Sequence, residues 1–427
     1  MQLQTTAPLP PAARPFYGTT VVRAAFVLAA FGWGVGFYSP SIFLHAVAAR
    51  TGWSLPLVSA AVTFHFMFGA LMVARLPRIH ARWGIALTTA AGAAALALGT
   101  MGWAVAAQPW QLFAAALLSG AGWVTMGAAA INAILSPWFV HSRPMALAKA
   151  YNGASIGGVI FSPLWAALIA HLGFTAAALL VAVVMLTVVA AISLRVLVQT
   201  PEALHQRPDG DAPGVATRSI TSARARPLPG RLLWRDRGFL TLAAGMSLSL
   251  FAQAGLIAHL YALLAAALST QAAGWAMALV TACAVAGRTV VAKIMPATAD
   301  RRRIAAASYA VQVAGSLVLL AASGQQTALL LFGIVLFGVG IGNATSLPPL
   351  VAQVEFVKED MARVVALIVA ISQGLWALAP VAFGILLAAG DGSSAQLGAG
   401  TQLFFTTAAL IQLGAIACML AGRKPLR

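Results

Sequence analysis

One arginine stands inside an apolar run. Arg288 lies in Val-Ala-Gly-Arg-Thr-Val-Val, five residues before Lys293. A guanidinium stays protonated and presents a planar fork of donors that matches a carboxylate. A cation held there is a candidate anion site; the alternative is a side chain that snorkels outward or ties helix ends together. The acids give the complementary pattern. All nine Asp and Glu fall in polar stretches or at the ends of apolar blocks. No carboxylate is placed to bind a cationic solute or to relay protons inside an apolar block. His65, near the middle of the second block, titrates in the right range to carry a proton, against the alternative of a hydrogen-bonded packing residue. His45 and His259 lie in outer parts of the first and seventh blocks and could line a vestibule or pack.

Weaker polar candidates are Asn132, Asn152, Gln253, Asn343 and Gln373, with Tyr38, Tyr151 and Tyr261. Amides inside apolar helices mostly bond neighbouring helices. A second cluster is basic and acidic together: Arg75, Arg78, His80, Arg82, Asp300, Arg301, Glu355, Glu359 and Asp360. Ion pairs among these could close a mouth, with Asp300 and Glu355 as the acids. Cys283 and Cys418 read as small packing residues, with no metal-ligand spacing. The glycine runs 120/122, 153/157/158 and 338/340/342 suit close helix packing; no strand precedes them, so a nucleotide loop has no context.

The elements that must hold these residues are transmembrane helices. Of 427 residues 61% are hydrophobic and 8% charged, with mean hydropathy +0.89. That is too little polar surface for a soluble globule, which carries roughly a quarter charged residues. The apolar residues fall in blocks of about twenty, enough to cross about 30 Å of hydrocarbon as helix. They lack the short alternation of a barrel. Twelve helices are expected, near 22–48, 54–76, 85–106, 110–136, 147–170, 174–198, 238–266, 271–295, 303–323, 327–352, 361–389 and 401–422. Ser54 is expected to cap the second, with Pro56 in its first turn.

Lys and Arg outnumber Asp and Glu 26 to 9, and they collect on alternate connections. By the positive-inside rule both termini are expected in the cytoplasm of a multi-pass inner-membrane protein. The outer loops hold little beyond Arg50 and Asp391. A charge excess confined to one membrane face argues against a nucleic-acid partner. The Pro- and Arg-rich stretch 199–237 reads as a cytoplasmic linker without a core of its own. The organisation expected is a tail (1–20), a six-helix half (21–198), the linker (199–237), a second six-helix half (238–422) and a short tail (423–427).

The halves repeat at one offset. Gly69 to Arg75 aligns with Gly287 to Lys293, and 287 − 69 = 218. The same offset carries Gly120 and Gly122 onto Gly338 and Gly340, and Trp138 onto Phe356. Pro163 and Pro380 correspond within one residue. Two six-helix repeats are a transporter architecture.

At residues 20–422 the chain resembles the major facilitator superfamily, and within it the monocarboxylate and oxalate/formate branch. The resemblance rests on Gly52-Trp53-Ser54 and on the run Trp138-Phe139, Arg143 to Ala146, Asn152 to Gly158 and Pro163. It also rests on Gly287-Arg288 and on Asp300-Arg301-Arg302. It implies an all-α fold of twelve transmembrane helices in two six-helix pseudo-repeats. It further implies alternating access, a central substrate site with Arg288, Tyr38, Asn343 and Gln373, and monomeric action. Three positions depart from the pattern: Ala81 replaces the loop aspartate, Ala284 the acid before the arginine, and Ser41 a lysine of the first span. Proton chemistry therefore does not transfer intact. His65 is the residue left as a proton-coupling candidate, and Arg75, Arg82, Asp300, Arg301 and Glu355 form the expected cytoplasmic gate. The function expected is secondary transport of a small organic anion, a monocarboxylate, with a proton as candidate coupling ion and no cofactor. Efflux of a lipophilic or neutral compound is the alternative, and a non-transporting sensor a more distant one. No catalytic constellation speaks for an enzyme.

Overall fold

The structure is a computed structural model that describes residues 15–140, 142–211, 230–296, 299–322, 326–389 and 399–423. Its regular elements, among these residues, are all helical. Ten stretches are long and apolar enough to cross a membrane: Gly18–Thr51, Leu55–Val105, Pro109–Leu135, Met145–Leu172, Phe174–Leu197, Arg237–Ala267, Thr270–Ile294, Arg301–Ala321, Arg363–Ala388 and Gly400–Ala421. Leu55–Val105 is two crossings joined at Gly84, whose φ of 73° is a left-handed conformation that glycine adopts without strain. The tenth crossing is split into Thr327–Ile341 and Leu347–Glu355. The total is twelve spans, numbered here in chain order. Asp391, Lys424 and Arg427 lie outside the described residues.

Local chemistry sets the ends. Asp236 accepts from the Phe239 amide at 2.8 Å, and Ser269 and Asp300 cap spans 8 and 9 in the same way. Ser54 occupies the N-cap position of span 2, but its side chain makes no capping bond; Pro56 removes one of the amides that would need it. The linker is ordered where it leaves span 6. Asp209 accepts from the amides of Val140 (2.9 Å) and Ser142 (3.1 Å), and Gln206 accepts from the Tyr17 amide at 2.9 Å. These bonds fasten 199–211 to the first half; 212–229 lie outside the described residues.

Four spans are interrupted. Span 1 widens into a π-turn at Gly34–Tyr38, ahead of Pro40, and span 11 turns at residues 377–378, ahead of Pro380. Span 4 tightens at Val124–Met126 and opens at Gly127, whereas span 10 unwinds over residues 342–346, ahead of Pro348. A proline lacks the amide that would continue the preceding turn. The breaks in spans 4 and 10 begin 342 − 124 = 218 residues apart, the offset of the sequence repeat. Below, the terminal side means the end of the bundle carrying Tyr17 and Arg423, and the far side the opposite end.

Candidate functional site

Gly287 brings spans 8 and 10 together backbone to backbone: a Cβ there would sit against the Val339 carbonyl and 3.0 Å from its Cα. Arg288, the next residue, is thereby carried onto the break in span 10. Its Nε donates to the Gly342 carbonyl at 2.9 Å. Gly342 ends the half-helix Thr327–Ile341, where carbonyls lack helical partners and the helix dipole favours a cation. The side chain is exposed, and among the described residues no carboxylate pairs with it. The stem is anchored while the two terminal nitrogens remain open to a ligand.

Tyr38 meets this group from the other half. It closes the π-turn of span 1, lies in the electrostatic reach of Arg288 and has the Thr281 side chain as partner. Spans 1, 5 and 8 converge there; a Cβ on Gly158 would lie 2.6 Å from the Tyr38 ring and 2.8 Å from Thr281 Cγ2. Gln373 is exposed and stands almost opposite Leu375, itself 44% exposed, around span 11. If Leu375 faces lipid, Gln373 faces the interior. Asn343 lies in the span 10 break beside Gly342 but is only 2% exposed, so it is packed into the break rather than displayed. Tyr38 thus lies in the electrostatic field of Arg288, Asn343 sits in the span 10 break beside Gly342, and Gln373 lies on span 11.

Sequence reasoning missed the aromatic surface beside them. The ring of Phe37 lies parallel to Trp376 at 5.6 Å, and Phe66 packs on Trp376 at 4.4 Å, across the two halves. Trp33, one turn from Phe37, touches Trp123 and Tyr151, each at 6.3 Å. The signal was the Trp33–Phe37 spacing of four, which puts two large rings on one helix face.

The halves are tied on the far side of these rings. The Val381 amide, past the span 11 break, donates to Thr63 Oγ1 at 3.1 Å, and Gln271 donates to the Pro163 carbonyl at 3.4 Å. His45 packs on Tyr261 at 5.5 Å. His259 is buried, with Nε2 2.8 Å from the Pro380 carbonyl. The crevice between Phe37, Val62, Phe66, Ile257 and Trp376 measures about 20 Å³, room for about one water. A larger cleft, about 430 Å³, lies at the terminal end of the first half between spans 1, 3, 4 and 6, away from Arg288.

His65 is 1% exposed and fully engaged: Nε2 is 2.9 Å from the Gly36 carbonyl and Nδ1 2.8 Å from Ser119 Oγ. A carbonyl can only accept, so Nε2 carries the proton and Nδ1 accepts from Ser119. Trp103 Nε1 donates to the same hydroxyl at 3.1 Å. The imidazole therefore links spans 1 to 4.

At the terminal side the charged residues pair within the second half. Arg302 grips Glu355 with two bonds, 2.5 and 2.9 Å, and also reaches the Gly238 carbonyl at 2.7 Å. Arg301 instead donates to the Leu350 carbonyl at 2.7 Å. Asp300 accepts from Arg423 at 2.7 Å. Burial would raise the Asp300 carboxyl, but the bonds from Arg423 and from the amides of Arg303 and Arg302 outweigh it and hold the group below 3.8. Arg75 and Arg82 are exposed, with no acid partner among the described residues.

The Major Facilitator Superfamily sequence model matches residues 24–380. No curated protein matches the chain significantly. Among solved structures, a bacterial homolog of the human lysosomal transporter Spinster, in an inward-facing, occupied conformation, superposes with TM-score 0.71 at 14% identity, covering 97% of this chain and 100% of that one. The nucleoside transporter NupG superposes with TM-score 0.71 at 11% identity, covering 96% of this chain and 99% of that one. At these identities the likeness is one of fold.

Proposed function

The chain belongs to the major facilitator superfamily, and on that footing we propose that it is a secondary transporter carrying a small organic anion, a monocarboxylate in its simplest form, across the inner membrane by alternating access. One observation carries the anionic reading: Arg288 is anchored through Nε on the span 10 break, and among the described residues no carboxylate pairs with it. Positive-inside charge placement puts the terminal side in the cytoplasm. With the far side tied, we read this as an inward-facing state, and the protein as acting as a monomer.

Asn343 supports the break beneath Arg288, and Tyr38 and Gln373 supply hydrogen bonds to the anion. Closing the cytoplasmic mouth brings the unpaired Arg75 and Arg82 towards the acids Asp300 and Glu355, which Arg423 and Arg302 already hold in place beside Arg301. Both nitrogens of His65 are committed to packing bonds in this state. Proton dependence therefore belongs to the substrate carboxyl or to the gate acids. The very apolar spans keep a second reading open, efflux of a lipophilic compound.

Counterflow in proteoliposomes separates the two. Saturable exchange of labelled carboxylates, inhibited by other small carboxylates, is expected. Exchange of neutral solutes or lipophilic cations without carboxylate exchange would transfer the assignment to the second reading.

A further inference from the structure

The groups around Arg288 restrict what its ligand can look like. The polar set is short: the guanidinium, with the Tyr38 hydroxyl in its field and Thr281 beside Tyr38. A sugar or nucleoside would need many more hydrogen-bonding partners. An ammonium-bearing solute would need a carboxylate, and every acid of the chain lies outside the apolar cores of the spans. A dianion would call for a second cation; the guanidinium nearest in role, Arg143, lies in the field of Tyr151 and already spends one donor on Asn132 Oδ1 at 2.9 Å.

The rest of the surroundings is aromatic. Phe37 and Tyr38 touch at 5.0 Å, Phe37 lies parallel to Trp376, and Trp33 continues the face by one turn to Tyr151. Trp33, Phe37, Tyr38, Tyr151 and Trp376 are each only partly buried, so part of each ring stays accessible even though Phe37 and Trp376 stack on one another and Phe66 packs on Trp376. The ring next to the anion site is Tyr38 itself, which shares a backbone turn with Phe37. One cation beside a run of partly exposed aromatic rings is a surface for an anion at one end and a flat, apolar body at the other.

We infer that the transported anion is an arene-bearing or similarly flat-bodied monocarboxylate, with Arg288 binding the carboxylate and Trp33, Phe37 and Trp376 selecting the body against short-chain acids. This inference rests on the anionic reading of Arg288 proposed above. Selection is a matter of apolar area removed from water, which a methyl group cannot supply and a phenyl ring can.

The test is isothermal titration calorimetry of the purified full-length protein with acetate, lactate, benzoate and benzyl alcohol. Benzoate is expected to bind at least about tenfold more tightly than acetate or lactate. Trp376→Leu and Trp33→Leu are expected to cut that preference to about threefold or less while acetate binding is kept. Arg288→Gln is expected to abolish benzoate binding, which also rules out partition into the detergent. Acetate or lactate binding as tightly as benzoate, or an undiminished preference in both tryptophan variants, would overturn the flat-bodied class and leave the anion site standing. Benzyl alcohol binding as tightly as benzoate, or no carboxylate binding at all, would overturn the anion site beneath it.

Discussion

The breaks in spans 4 and 10 begin at matched positions, Val124 and Gly342, yet different groups lean on them. At Val124 the free carbonyl is taken locally, by the Gly127 amide at 3.1 Å, and the glycine of span 2 that faces it, Gly69, is followed by Ala70. At Gly342 the carbonyl is taken by the Arg288 guanidinium, and 288 − 218 = 70 makes Ala70 the repeat mate of that arginine. His65 shows the converse. It knits four spans of the first half, while its mate at 65 + 218 = 283 is Cys283, a half-buried thiol. The repeat has kept a bendable backbone in both halves and divided the side-chain work. At this level the first half is knitted by the neutral bonds of His65, and the second carries the cation seated on the break; the Arg302–Glu355 pair lies at its terminal end.

The strongest way to break this comparison is to move the cation. In Arg288→Ala combined with Ala70→Arg, carboxylate uptake is expected to stay at least about thirtyfold below wild type, since losing a charge-assisted partner costs about 2–5 kcal/mol. The break at Val124 already has its carbonyl satisfied and would not seat the arginine. Restored uptake would show the halves to be chemically interchangeable.

Next in size is the clamp at the terminal side. Arg302 is buried and bonded to Glu355, Gly238 and Thr241, whereas its repeat mate, 302 − 218, is Gly84. Arg302→Met leaves Glu355 without its partner and is expected to cost about 3–5 kcal/mol of stability, seen as a lowered thermal midpoint in detergent. An unchanged midpoint would mean that this half is not held by its ion pairs.

His65→Ala is expected to cost about 1–2 kcal/mol through the orphaned Gly36 carbonyl and Ser119 hydroxyl, and Cys283→Ala less than about 1 kcal/mol. Equal losses at the two mates would erase the distinction. In uptake assays His65→Gln is expected to leave the pH profile unmoved, and a shifted profile would restore the imidazole as a proton carrier.

The smallest effect is at Asp300. Its folded pKa is depressed, so its contribution is present at neutral pH and decays as pH falls below 3.8 towards the folded value. Asp300→Asn is therefore expected to lower the thermal midpoint at pH 7 and to converge on wild type in acid. A gap that persists or widens in acid would contradict the assigned sign.

Much of this was legible beforehand, because lipid imposes a strong rule. Apolar runs of span length must be helices, and the twelve blocks appear as spans. The break in span 10 was hidden, since Gly342 to Ser346 sits in an otherwise continuous apolar block and Pro348 marks only its far edge. Three consecutive arginines, 301 to 303, could not be ranked from the sequence. Once Asp300 caps the helix the register is fixed, and it turns Arg302 inward while Arg301 finds a backbone carbonyl. His65 was ambiguous because its two partners, Gly36 and Ser119, come from other spans. Arg288 was found by a local signal, a charge in an apolar run, but its seat on Gly342 was a tertiary fact.

Arg288 is the proposed partner of the transported anion, and initial carboxylate uptake per folded molecule tests that role most directly. Arg288→Ala is predicted to fold and reach the membrane at wild-type levels or better, because a costly intramembrane charge is removed, and to show no carboxylate uptake. Arg288→Lys, which keeps the charge and loses the fork, is predicted to transport weakly. Full uptake by a well-folded Arg288→Ala protein would show that Arg288 does not bind the transported anion.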